Sequence, residues 1–147
     1  MSSEDSILVK NWMRSKTLIS SETSIVEVAE VMASRDVGSV LVTVDGKEAG
    51  ILTERDLTRK VVAKGLDPRS TTAKNVMSSP LLTISQDATL LEAAEIMSKR
   101  RVRRLPVVNE NRDVVGIIST RIISYALPLV ETKKSTILQL LRVDKDE

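Results

Sequence analysis

Two stretches of this chain are copies of each other, and that repetition constrains the fold more than any other feature. "VKNWMRSKTLISSETSIVEVAEVMASRDVGSVLVTVDGKEAGILTERDL" aligns with "AKNVMSSPLLTISQDATLLEAAEIMSKRRVRRLPVVNENRDVVGIISTRII". Met13 falls on Met77, Met32 on Met97 and Gly50 on Gly116, so the offset runs 64, 65, 66. It grows by one at each of two loops, where insertions are tolerated. A unit of this length repeated only twice is not a solenoid. In 147 residues, two such halves make one pseudo-symmetric α/β domain of the α+β type.

Each copy reads β-α-β-β-α. A short apolar strand (Thr17–Ser20; Leu81–Ser85) precedes a helix whose start carries a capping box, Ser24 with Glu27 and Thr89 with Glu92. Ile25, Val28, Ala29 and Met32 recur at helical spacing, and Leu90, Ala93, Ala94 and Met97 repeat the stripe. Two strands follow around a polar turn: Ser39–Val44 and Glu48–Leu52, then Arg104–Val108 and Val114–Ile118. Asp45-Gly46 is a hairpin signal. A second helix begins after Thr53 and after Ser119. The runs "VLV" and "LPVV" are apolar at consecutive positions, so both sheet faces should be covered. Pro106 lacks an amide donor, which predicts an edge or irregular position. Ile137, Leu138, Leu140 and Leu141 predict a terminal helix. The boundaries expected are 7–66 and 67–130 for the repeats and 131–147 for the C-terminal helix and tail.

Composition removes several chemistries. There is no Cys and no His, which excludes thiol chemistry, imidazole bases and His/Cys metal sites. With no Phe, one Trp and one Tyr, the core is aliphatic and there is no stacking platform for single-stranded nucleic acid. No uncharged stretch is long enough to span a bilayer, and "MSSEDSILVK" is not a signal peptide. A soluble, cytoplasmic protein with no membrane association is expected. The net charge is +2, and Lys99, Arg100, Arg101, Arg103 and Arg104 alone carry +5, so the remainder sums to −3. Basicity confined to one cluster argues against a general nucleic-acid binder, which spreads it over a face.

The repeated "VGSVLV", "RRLPVV", "GILT" and "GIIS" closely resemble the core of the CBS domain, from about Val9 to about Leu127 and twice in tandem. The resemblance implies two CBS repeats packed sheet to sheet about a pseudo-twofold axis, a Bateman module. It implies two clefts between the repeats that take adenine nucleotides or related ligands, and association into a homodimer. No catalytic apparatus or catalytic cofactor accompanies the module, so an enzyme is the class the sequence supports least. What it regulates is a partner the sequence does not name.

Residue by residue, "TERD" admits two readings. Thr53 and Asp56 form a helix cap, which on residues alone is the stronger reading. Alternatively, the carboxylate accepts a ribose diol while the hydroxyl and helix start meet a phosphate. The family uses its hydroxyl-x-x-Asp in the second way. By that resemblance Thr53, Asp56 and Ile51 share a cleft with Pro80, Leu81, Val102, Arg103 and Arg104. Adenine lies among Ile51, Leu81 and Val102, and Arg104 meets phosphate. Successive strand residues face opposite ways, so only one of Arg103 and Arg104 aims inward. Lys99, Arg100 and Arg101 are expected to be a solvated helix end. The second repeat has Ile122 where the aspartate belongs. Its cleft, with Ser119, Thr17, Leu18, Val37, Gly38 and Ser39, cannot hold a diol in the same manner. The function expected is regulation through AMP, ADP or ATP. The alternatives are S-adenosylmethionine, which would leave Arg104 unused, and nucleic acid held by the Lys99–Arg104 cluster.

Overall fold

The computed structural model describes residues 7–129 and 134–141. Each repeat builds one three-stranded sheet. In the first, β1 (Leu18–Ser20) runs parallel to β2 (Ser39–Val44), which pairs antiparallel with β3 (Lys47–Thr53), and α1 (Ile25–Arg35) connects β1 to β2. In the second, β4 (Ile84–Ser85), α3 (Leu90–Arg100), β5 (Arg104–Val108) and β6 (Val114–Ser119) repeat the order. After β3 the chain forms α2 (Glu54–Asp56), which continues as a π-helix over Leu57–Val62. After β6 it forms α4 (Thr120–Ala126) and a 3₁₀ turn, Leu127–Leu129. Both central strands bury three consecutive residues, as doubly apolar runs require. No helix among the described residues is long and apolar enough to cross a membrane.

The hydroxyl half of each predicted capping box forms. Ser24 Oγ accepts from Glu27 N (3.3 Å) and Thr89 Oγ1 from Glu92 N (3.1 Å). The helices end on left-handed residues, Asp36 (φ 53°) and Arg101 (φ 54°), whose amides return to Met32 O and Met97 O. Asp45 and Gly46 both have positive φ, which matches the twist of a two-residue hairpin. In the second repeat the side chain of Asn109 organises the longer turn, accepting from Asn111 N and Asp113 N.

Pro106 departs from expectation: it lies in β5, the middle strand, opposite Ile117. The first repeat shows how. There Leu41 N, at the equivalent place, donates to Thr17 O (2.8 Å) beside β1. Proline cannot make that bond. The parallel ladder of β4 begins only at Ile84 opposite Val107, so the missing donor falls where no strand pairs.

The chain divides into two compact units that exchange their leading segments. Lys16–Leu81 forms one; the described residues before Lys16 join those from Leu82 onward in the other. Residues 7–15, the start of the expected first repeat, thus complete the second unit, and residues 67–81, the start of the expected second repeat, complete the first. The mechanism is the same in both. Val9 N donates to Ala88 O and Ile117 N to Arg14 O; Ala73 N donates to Thr23 O and Ile51 N to Ser78 O. At these crossings stand Gly50 and Gly116. A Cβ on Gly50 would sit 2.5 Å from Met77 Sδ and 2.9 Å from Ser78 O, and one on Gly116 2.8 Å from Arg14 O. Only glycine lets the incoming backbone lie this close.

Each unit has its own core. Ile25, Val28, Met32, Val40, Val42 and Leu52 centre one; Leu90, Ala94, Met97, Leu105, Ile118 and Ile123 centre the other. The C-terminal prediction is met over α5 (Lys134–Leu141), which lies against α3 with Ile137 buried. Leu140 and Leu141 pack on the same core. The side chain of Leu138, and the rest of the predicted 131–147 segment, lie outside the described residues.

Candidate functional site

The end of β3 gathers most of the chemistry of the first-repeat unit. Thr53 is the last residue of the strand, opposite Ser39, and the N-cap of α2. Its Oγ1 accepts from Asp56 N (3.2 Å), while Asp56 Oδ2 accepts from Thr53 N (2.9 Å) and Thr53 Oγ1 (3.1 Å). This is a complete capping box. Glu54 N donates to Gly38 O (3.1 Å), which draws the start of β2 to the same place. Gly38, Ser39, Thr53 and Asp56 are therefore neighbours. Val37 is half-buried beside them, Thr17 is buried with its carbonyl accepting from Leu41 N, and Leu18 is 47% exposed. Ile51 is half-buried in β3 between Leu41 and Ser78. Pro80 is exposed after a cis Ser79–Pro80 bond, and Leu81 is half-buried.

Sequence reasoning missed one member. Lys60, on the π-helix, places Nζ 3.2 Å from Asp56 Oδ1. The same ammonium donates to Val76 O (3.1 Å) and Ser78 Oγ (3.4 Å). The i,i+4 spacing of acid and lysine in "DLTRK" was its visible signal. Farther along the sheet, Lys16 Nζ lies 2.6 Å from Glu48 Oε1. That hydrogen bond holds the Glu48 carboxyl below its usual range, against the opposing effect of burial.

The second-repeat unit has the same frame with different groups. Arg104 opens β5 opposite Ser119, and Thr120 N donates to Arg103 O (2.9 Å). Ser119 Oγ accepts from Ile122 N (3.2 Å), a cap with no carboxylate to return the bond. Arg104 is half-buried, and Arg103, just ahead of the strand, is exposed. Val102 is half-buried, its amide bonded to Met97 O. Lys99, Arg100 and Arg101 are exposed at the end of α3, where cations complement the helix terminus. The expected partnership of Asp56 with Arg104 joins residues of different units.

A cavity of about 380 Å³ opens beside the Thr53 and Asp56 cluster in the first-repeat unit. Ala29, Met32, Ala33, Val37 and Leu57 form its apolar walls, with Thr58 and the acids Asp36 and Glu54. Two carboxylates and no cation make it a poor place for a phosphate. Among the described residues no group of three or more acids could hold a metal ion.

Comparison with known proteins identifies this frame. The family model described as the CBS domain matches residues 9–63 and again 73–129. An uncharacterized protein of Methanopyrus kandleri is 39% identical over 95 residues, covering 64% of this chain and 48% of that one. This chain thus matches about half the length of that relative. The crystal structure of a CBS domain protein from Thermoplasma acidophilum has a TM-score of 0.83 over 95% of this chain and 77% of the other. At 20% identity it speaks for the fold alone. The CBS domain pair of protein MJ0100, in complex with 5′-methylthioadenosine and S-adenosyl-L-methionine, is 28% identical. Its TM-score is 0.73 over 82% of this chain and 95% of that one.

Proposed function

Because the chain belongs to the CBS domain family and carries two of its domains in tandem, we propose that this regulatory ligand-binding module takes an adenine nucleotide: AMP, ADP or ATP. The observation that carries the reading is the Asp56 carboxylate. It is fixed at the end of β3 by the capping box, with its side chain 14% exposed. A carboxylate held in one orientation accepts two hydroxyls of a ribose without first losing rotamer freedom. Thr53 stands beside it. The phosphate falls to Arg104, since an arginine fork matches phosphate oxygens, and adenine to Ile51, Leu81 and Val102. The second repeat, with Ile122 at the aspartate position, takes no diol in this way.

The bound ligands of the MJ0100 pair favour a second reading. 5′-Methylthioadenosine and S-adenosylmethionine offer the same adenine and ribose and carry no phosphate. On that reading Asp56 keeps its role and Arg104 meets no phosphate. Either ligand would bias the module toward a partner protein. The reading includes association with a second copy of the chain, which would cover apolar residues such as Val62, Tyr125 and Leu129, exposed at 76%, 68% and 65%.

A melting panel with calorimetry tests the proposal. A ligand at about 100 times its Kd stabilises the native state by about 2.7 kcal/mol, roughly 5–10 °C for a chain of this size. Asp56→Ala should remove most affinity. Arg104→Ala should weaken AMP more than adenosine, and Ile122→Ala should change neither. An equal loss for AMP and adenosine in the arginine variant would favour the phosphate-free ligands. No shift with any of AMP, ADP and ATP at millimolar concentration would end the nucleotide reading.

A further inference from the structure

Both oxygens of the Asp56 carboxylate already have partners within its own unit. Oδ2 holds the Thr53 amide and hydroxyl, and Oδ1 faces the Lys60 ammonium at 3.2 Å. A ribose diol must reach Oδ1, because Oδ2 is committed to the cap. A hydroxyl that reaches Oδ1 must compete there with the Lys60 ammonium. The other two protons of that ammonium are also spent, on Val76 O and Ser78 Oγ. Those two residues belong to the crossing segment that pairs with Ile51 of β3 and runs on to Pro80 and Leu81. One side chain thus ties the candidate ribose acceptor to the strand that enters the second repeat.

From this geometry, and resting on the assignment of Asp56 to a ribose, we infer that Lys60 is a latch. It occupies the carboxylate when no ligand is bound, and a diol releases it together with the Val76–Ser78 segment. The exposures fit the exchange. The Lys60 side chain is 44% exposed and the Asp56 side chain 14%, so the ammonium can swing into water at little cost while the carboxylate stays. A half-exposed ion pair is weakly held, and a ligand can displace it. The second repeat has no equivalent, since Ile122 and Ala126 stand at the matching positions.

Lys60→Met keeps the aliphatic stem and removes the competitor. Adenosine, uncharged but with an intact diol, is the probe, measured by calorimetry beside AMP. The latch predicts about three- to tenfold tighter adenosine binding in the variant. In the wild type, raising salt from about 0.05 to 0.5 M should tighten adenosine binding toward the variant's value, because salt screens the ion pair. The variant should show no such trend. Hydrogen exchange supplies a readout independent of affinity: ligand should speed exchange at Met77 and Ser78 in the wild type, and the variant should start at the faster rate. Unchanged or weaker adenosine binding in Lys60→Met, with Asp56→Ala still abolishing binding, overturns the latch and leaves the ribose assignment standing. If the wild type binds neither adenosine nor AMP, the ribose assignment fails and the latch with it.

Discussion

Ala94 of α3 is fully buried, whereas its counterpart in the first repeat, Ala29 of α1, is exposed on the wall of a cavity. The helices descend from the same pattern and sit on the same sheet order, yet one is covered and the other is open. In the second-repeat unit α4 and α5 lie against α3, and Ile123, Ala126, Leu127 and Ile137 are all buried. In the first-repeat unit the corresponding helix carries Asp56, Leu57, Lys60 and Val61, winds as a π-helix, and buries only Val61. The polar copy keeps a carboxylate, a hydroxyl and an ammonium on a helix irregularity of a kind common at functional sites. The apolar copy spends the same positions on packing. The two copies thus put the same helix positions to different use, one for packing and the other for a polar cluster.

The sharpest way to break this comparison is a matched pair of truncations. Ile123→Ala should cost about 2–5 kcal/mol, the range for a fully buried aliphatic residue. Leu57→Ala at the matching position should cost only about 1–2 kcal/mol, since the residue is partly buried. Urea unfolding of the two variants measures both. Equal costs would mean the first-repeat helix is as tightly packed as the second.

A smaller effect follows from copying one repeat into the other. Asp56→Ile removes the acceptor of the Thr53 amide and the partner of Lys60, so it should destabilise by about 1–2 kcal/mol. The change should appear as faster hydrogen exchange at Thr53. A neutral result would show that the apolar version of the turn suits either sheet.

The smallest effect is electrostatic. The Glu48 carboxyl is held below its usual value, near 4.5, by its hydrogen bond from Lys16. A carboxyl whose folded pKa is depressed stabilises fully above its unfolded pKa, and that contribution disappears as pH falls through the lower folded value. Acid below about pH 4.5 should therefore loosen the first-repeat unit, by less than about 1 kcal/mol from this pair. Glu48→Gln should flatten that part of the profile. The matching positions of the second repeat, Leu81 and Val114, are apolar, so the effect has no counterpart there.

Much of this asymmetry is legible in the residues. The capping hydroxyls, the Asp45-Gly46 turn, the doubly apolar central strands and the Asp56/Ile122 difference all rest on local chemistry, which a linear sequence displays. The π-helix is not legible, because six residues are too few to separate a period of 3.6 from a wider one. Nor is the exchange of leading segments, which depends on pairing between distant residues. Its traces were there: "KNWM" and "KNVM" open the two repeats ahead of their first strands, and a glycine interrupts each third strand. Each glycine marks a close approach, but nothing local says which backbone approaches. Pro106 misled for a related reason. A proline argues against a central strand only if a neighbour needs its amide, and the length of that neighbour is a tertiary fact.

The exchanged segments also set the order in which the chain can close. The Lys16–Leu81 unit is contiguous, and its ion pair between Lys16 and Glu48 spans 32 positions. The other unit is joined across the whole of that stretch: Lys10 reaches Asp87, 77 positions away. In topological terms the first-repeat unit is an insertion inside the second. As the chain leaves the ribosome, the insert has all its partners once Leu81 has emerged, while residues 7–15 wait for strands not yet made. A folded insert shortens the loop that the outer unit must close, and loop entropy falls with it. Whatever steadies the middle of this chain therefore also helps to bring its distant ends together.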